Sequence, residues 1–503
     1  MSLNGTMMQY FEWDLPNDGK HWQRLRDDAK HLSEKGITAV WIPPCFKGTS
    51  QEDVGYGVYD LYDLGEFKQK GTTRTKYGTK EELHEAIDAL HEYGIQVYAD
   101  VVLNHKAAAD ETESFQAIQV DENDRHKAIS EEHEIEGWTH FQFPGRERKY
   151  SDFEWHWYHF SGVSRDEKLD TEGIFQIVGE GKGWADDDEV SDEFGNYDYL
   201  MFADIDYGHE EILEETKQWL KWFINETGID GIRLDAVKHI KSSVINELVD
   251  YVRTEFGEDF FFVAEYWEQD TEVLEQYLEK QDFDFSMMDV GFHYALHEAS
   301  VDPKNFDLAK LFDGTLYRND ARYAVTFVDN HDSQPGQSLE SFVKPWFKPL
   351  AYGIILLSSY GYPCLYYPDY YGYQAKDIDY NGNQELIDKL LYIRQQFAYG
   401  ETARYLDDAS CIGFTRSGDD DHPVGCAVVI STTEENQKEM NVGSLHAGET
   451  YIDVIGYRKE EVTIDENGSA VFAVDATSIS VWVPKKSWKN KYTNNDGCRL
   501  YND

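Results

Sequence analysis

Short apolar runs recur along the first 400 positions of the chain, separated by stretches of helical period. They begin at ITAVWIPPC (37–45) and continue with IQVYADVVL (95–103), GIRLDAV (231–237), FFFVAE (260–265), FSMMDV (285–290), YAVTFVD (323–329) and GYPCLYY (361–367). A weaker run, VYDLYDLG (58–65), brings the number to eight. A strand buried on both faces reads as such a run, because neither side meets water. In the intervening segment 79–94, Leu83, Ile87 and Leu90 recur at helical spacing and Gly94 follows as a stop. Segments 21–36, 210–228, 242–257 and 383–400 have the same character. Strand and helix alternating in this way predict an α/β fold, a (β/α)8 TIM barrel, whose reactive groups gather at the C-terminal ends of its strands.

Two intervals break the alternation. Residues 104–207 form a long insertion after strand 3, rich in acids and aromatics, where an ordinary connection would be a few residues. The pattern predicts a barrel over 1–103 and 208–400 with a separate small domain at 104–207. Beyond residue 400, CIGFTRSG, GCAVVIST, ETYIDVIG, EVTIDENGSAVFAV and SISVWVPK are short and divided by Gly, Asn and Asp turns. They predict a C-terminal antiparallel β-sandwich over 401–503, with a loosely held tail from Trp488.

Four of the strand candidates run directly into polar groups: YADVVLNH (98–105), GIRLDAVKH (231–239), FFVAEYW (261–267) and TFVDNHD (326–332). Together they bring Asp100, Asp235, Glu265 and Asp332, with His105, Arg233, His239 and His331 beside them. A single Asp at a strand end is often a helix cap, and a single His is more often structural than catalytic. Four such ends from one barrel need another explanation, because caps have no reason to cluster. Retaining cleavage of a glycosidic bond uses one carboxyl to protonate the leaving oxygen and a second to attack the anomeric carbon. Asp235, two residues from the Arg233 cation, suits the ionised nucleophile. Glu265, at an apolar strand end beside a second carboxylate, suits the acid. Asp332 is then a third carboxylate for the developing positive charge, with His331 and His105 to bond sugar hydroxyls.

Composition narrows the partners. Forty-six basic against 96 acidic residues leave a formal charge of −50, which repels nucleic acid and anionic membranes and favours cations and neutral substrates. Adaptation to high salt and simple acidic drift both explain it; activity and unfolding followed into molar NaCl separate them. Aromatics at 15% exceed the needs of a core and supply flat faces for sugars. The five cysteines, Cys45, Cys364, Cys411, Cys426 and Cys498, are odd in number and widely spaced, and read as reduced thiols. MSLNGTMMQYFEWD carries no signal-peptide pattern and no run is long enough to span a bilayer, so the expected location is the cytoplasm; a secreted protein with its leader removed is the alternative.

DVVLNH, GIRLDAVKH, VAEYW and FVDNHD resemble, in order, the four signature segments of the α-amylase family of glycoside hydrolases. NGTMMQYFEWD, GYGVYDLYDLGEF (55–67), GNYDYLMFADIDYGH (195–209) and SLESFVKPWFKPLAYG (338–353) extend the similarity to the bacterial liquefying type. The resemblance implies endo-acting, retaining hydrolysis of α-1,4 bonds in starch, glycogen and maltooligosaccharides. It makes Asp235 the nucleophile, Glu265 the general acid/base and Asp332 the transition-state stabiliser. Trp13, Tyr56, Asp100, His105, Arg233, Lys238, His239 and His331 match positions that line or support the substrate cleft. It also implies one calcium ion held by Asn104, Asp198, Asp204 and the backbone carbonyl of His239, all oxygen donors suited to a hard cation. A further calcium and sodium cluster of the liquefying type is expected to be weakened or absent. Ser161 and Gly208 stand where that cluster has carboxylates, although Asp187 and Asp206 remain. An α-1,6-glucosidase or transglycosylase on the same barrel, and a catalytically inactive sugar-binding protein, are the competing readings.

Overall fold

The computed structural model describes residues 4–359, 361–375 and 378–488. The expected tail beyond Trp488, and Cys498 within it, lie outside the described residues. Eight parallel strands close into a barrel in the order Met7–Gln9, Tyr362–Tyr366, Ala324–Phe327, Ser286–Met288, Phe261–Ala264, Gly231–Leu234, Gln96–Val101 and Ala39–Ile42. Seven are the apolar runs expected from the sequence. The eighth is not: Val58–Asp60, the core of the weak candidate, pairs antiparallel with Lys47–Gly48 outside the barrel. Its place is taken by Met7–Gln9, hydrogen-bonded between the first and last of the other strands. Three residues are too few to show a period, so ring closure alone identifies this strand.

The helices lie where the periodicity puts them, at His21–Lys35, Lys80–Glu92, Glu210–Thr227, Ser242–Phe256 and Gln384–Phe397. Lys80–Glu92 opens on a capping box, in which Thr79 accepts from the Glu82 N–H while the Glu82 carboxylate accepts from the Thr79 N–H. Its buried stripe is Leu83, Ala86, Ile87 and Leu90. Between Gln96–Val101 and Glu210–Thr227 lies a separate antiparallel sheet of seven strands, running from His105–Lys106 to Ala203–Ile205. After the barrel, a six-stranded antiparallel sheet packs against the pair Asn436–Asn441 and Ser469–Val474. Met440, Phe472 and Val474 from the pair meet Val429, Tyr451 and Trp482 from the larger sheet in a second core.

Barrel register positions the polar groups. Arg233 is the cross-strand partner of Asp100, and Leu234 is paired with Ala264. Asp235 and Glu265 therefore leave adjacent strands at the same height. Their backbones stay tied beyond the ladder, with Asp235 N–H donating to Val101 C=O (3.0 Å) and Glu265 N–H to Leu234 C=O (2.9 Å).

Candidate active site

A buried arginine organises the strand ends. Arg233, fully buried, donates from Nη1 to Asp100 Oδ1 (2.9 Å) and Asp235 Oδ1 (2.5 Å), and from Nη2 to Glu265 Oε2 (2.7 Å). One guanidinium thus ties the carboxylates of three neighbouring strands, a fork geometry that lysine cannot reproduce. Asp100 also accepts from Trp41 Nε1 (3.0 Å) and Tyr56 Oη (2.9 Å), and the Trp41 ring lies 5.1 Å from the guanidinium. Asp100 and Arg233, expected among the cleft residues, have no exposed side-chain surface and support the site from below.

Asp235 and Glu265 do reach the opening, with 11% and 8% of their side chains exposed, and Asp332 is more open at 23%. Burial pushes the Glu265 carboxyl upward, and the charge of Asp235 adds to this, while Arg233 and the Ala236 N–H at 3.1 Å pull the other way. Ala236 stands in the left-handed region at φ 49°, a conformation disfavoured for any residue with a Cβ by roughly 1–2 kcal/mol. That turn is what aims its N–H back at Glu265. Burial also raises Asp332, helped by Glu265.

The histidines are neutral, each lowered first by burial: His105 to about 4, His239 to about 3 and His331 well below its usual value. Gln9 Nε2 donates to His331 Nδ1 (3.0 Å), which leaves the other ring nitrogen protonated and 3.3 Å from Asp332 Oδ2. The His331 ring stacks on Tyr56 at 5.0 Å, and Tyr56 on Trp13 at 5.7 Å, forming a partly exposed aromatic face. His105 was expected to bond a sugar hydroxyl. Here it is 2% exposed and donates from Nε2 to Tyr56 C=O (2.8 Å), so it holds Tyr56 in place. Lys238 donates to Glu193 and to Trp267 C=O (3.1 Å), and His239 Nδ1 donates to Tyr197 C=O (2.7 Å). Trp41, Gln9 and Glu193 were not singled out from the sequence. Gln9 carried the one available signal, a polar side chain directly after two buried methionines.

Residues 21–405 match the family described as alpha amylase, catalytic domain, and residues 427–483 match alpha-amylase C-terminal. The chain belongs to the α-amylase family. It is 51% identical to an alpha-amylase of Bacillus licheniformis over 96% of this chain and 94% of that one. It is 43% identical to a cytoplasmic alpha-amylase of Escherichia coli over 95% and 99%. A solved Anoxybacillus alpha-amylase shares the fold at a TM-score of 0.63 and 20% identity, covering 95% of this chain and 96% of that one.

α-Amylase relatives imply a cation, and a polar cavity of about 220 Å³ offers a place for one. Asn104, Asp198, Asp206, Lys182 and His239 line it, between barrel and inserted sheet. Asn104 gives its amide nitrogen to Asp204 (3.1 Å), so its amide oxygen is the atom left for a cation. Burial raises Asp198 to about 7, with the charge of Asp206 adding to it, and burial raises Asp204 well above its ordinary value, with the charge of Asp198 adding to it. Buried oxygens with uncompensated negative charge fit a hard divalent ion. Beside them, Ser161 donates to Asp204, Gly208 N–H donates to Asp206 (2.9 Å), and the Lys182 ammonium sits 2.6 Å from Asp206. Asp187 turns instead toward Asn196 (2.9 Å) and His126 (3.3 Å).

Proposed function

We propose that this chain is an endo-acting, retaining α-1,4-glucan hydrolase in which Asp235 is the nucleophile, Glu265 the acid/base and Asp332 the charge stabiliser. Hydrolysis of α-1,4-glucosidic bonds follows from membership of the α-amylase family. The observation that carries the role assignment is the shared Arg233 fork. Two carboxyls bridged by one guanidinium suit the short separation of retaining enzymes, roughly 5–5.5 Å, better than the wider inverting one.

In the first step an Asp235 oxygen attacks the anomeric carbon, the glycosidic C–O bond breaks, and Glu265 gives its proton to the departing oxygen. In the second, Glu265 takes a proton from water as that water attacks the anomeric carbon and releases Asp235. The oxocarbenium-like charge between them is met by Asp332. Trp13 and Tyr56 offer a face for a sugar ring, and the neutral His331 offers an N–H beside Asp332. The reading predicts large intermediate oligosaccharides early in digestion of soluble starch, before small sugars accumulate; release of only small sugars from chain ends would remove the endo assignment.

A calcium ion held by Asn104, Asp198, Asp204 and the His239 carbonyl would neutralise buried charge and tie the inserted sheet to the barrel. With Ser161 and Gly208 in place of acids and Lys182 already neutralising Asp206, the surroundings support one such ion and not a cluster. Chelation is expected to lower Tm and activity together, with calcium restoring both. Asp198→Asn is expected to weaken calcium affinity at least about tenfold by calorimetry. Unchanged affinity would exclude Asp198 as a ligand.

Intracellular action is the location this reading favours. Cys45, Cys364, Cys411 and Cys426 are buried free thiols. Among the described residues no helix is long and apolar enough to cross a membrane.

A further inference from the structure

We infer that the inserted sheet carries a second metal site, for a borderline transition ion such as Zn²⁺, formed by His140, Glu154 and His156. The backbone sets it up. Phe141 and Trp155 form an isolated antiparallel bridge through N–H···O=C bonds of 3.0 and 3.1 Å. Residues flanking such a bridge face each other, so His140 stands opposite His156, with Glu154 on the same face two residues away. The imidazole rings lie 4.4 Å apart at 23°, and one ligand atom from each of the three residues falls within 4.8 Å of the others.

The second layer is also in place. His140 Nδ1 lies 3.3 Å from Glu111 Oε2, its neighbour in the paired strands, and 3.3 Å from the Gln142 amide. His156 Nδ1 lies 3.0 Å from Glu113 Oε1. At His156 the carboxylate on Nδ1 fixes the tautomer and leaves Nε2 as a lone pair, the arrangement found behind metal-bound histidines; at His140 donation from Nδ1 to Glu111 does the same, in competition with the Gln142 amide N–H on that nitrogen. His140 Nε2 is buried, has no hydrogen-bond partner, and faces Glu154 Oε2 at 3.7 Å. Two imidazole nitrogens and one carboxylate match a three-ligand zinc set with a fourth position for water.

A neighbouring group shows the contrast. His159, His209 and Glu211 lie equally close together. There the His156 N–H donates to His159 Nδ1 (3.0 Å), which forces the ring hydrogen onto Nε2, and Nε2 donates to Glu211 (2.9 Å). No lone pair remains on His159 for an ion.

Occupancy of the His140 site would pin strand His133–His140 to segment 154–156 and stiffen the inserted sheet. The test is calorimetric titration of ZnCl₂ into the full-length, tag-free, calcium-loaded protein, with thermal unfolding in parallel. One saturable equivalent and a rise in Tm are expected. His140→Gln, His156→Gln and Glu154→Gln are each expected to weaken zinc binding at least about tenfold and remove the rise, with starch hydrolysis and calcium-dependent Tm unchanged. Absence of saturable zinc binding would overturn the inference, as would binding unaltered in a His140→Gln, His156→Gln double variant that retains its calcium-dependent Tm.

Discussion

Replacing Glu265 by Gln is expected to lower kcat on soluble starch by about 10²–10⁴-fold with little change in KM, because the isosteric amide keeps the shape of the site but has no proton to give. The leaving group decides whether that role is correct. On a maltooligosaccharide carrying an acidic phenol, which departs without protonation, bond cleavage in Glu265→Gln should recover most of its rate. Asp235→Asn should be at least as damaged and gain nothing from the better leaving group, since attack itself is lost. The pH profile supplies an independent readout. Glu265 must be protonated to act, and burial together with Asp235 raises its pKa from the ordinary glutamate value. Activity is therefore retained upward in pH and lost as pH rises through that raised value. In Glu265→Gln, assayed on the phenolic substrate, this alkaline limb should disappear from the cleavage step. An equal loss on both substrates would remove Glu265 from the acid role.

Arg233→Met is expected to be the most damaging single change to both stability and activity. It strips a buried partner from Asp100, Asp235 and Glu265 at once. Breaking a buried ion pair by removing one member costs roughly 3–5 kcal/mol, because the other charge is left without compensation. Asp100 sets the pH dependence. Burial raises its carboxyl to about 7 even against the pull of Arg233, and loss of the guanidinium raises it further. A carboxyl whose folded pKa lies above its unfolded value contributes stability that is present at low pH and lost as pH rises through the folded value. The deficit of Arg233→Met should accordingly be smaller near pH 5 than near pH 8, measured by urea unfolding. Arg233→Lys should recover part of the stability but less of kcat, since one ammonium cannot hold both Asp235 and Glu265 in a planar fork. A deficit independent of pH would show that Asp100 is not the stranded charge.

Most of the barrel was legible because buried parallel strands leave unbroken apolar runs and their helices leave a period of their own. The chemistry was legible for a related reason: a carboxylate at the end of such a run marks a strand end, and Asp235 and Glu265 stand directly after theirs, with Asp332 a few residues beyond its own. Met7–Gln9 was not, since its membership of the barrel is fixed by Cys364 and Ala39 on either side and not by any pattern of its own. His105 reads like a sugar ligand in the chain, yet the tyrosine carbonyl it holds is 49 residues away in sequence. The same limit hid Trp41 and Gln9, whose roles exist only through Asp100 and His331.

The sequence by itself determined the family, the alternation of strands and helices, and which acids stand at strand ends. Each of these depends on residue type and local spacing. Only the tertiary structure decided how those acids differ. Register placed Arg233 against Asp100, burial withheld Asp100 from the cleft while leaving Asp235 and Glu265 at its floor, and backbone carbonyls, as acceptors, fixed the tautomers of His105 and His239. Charge states and hydrogen-bond directions depend on distance through space and on the exclusion of water, and neither quantity is carried by neighbouring residues in a chain.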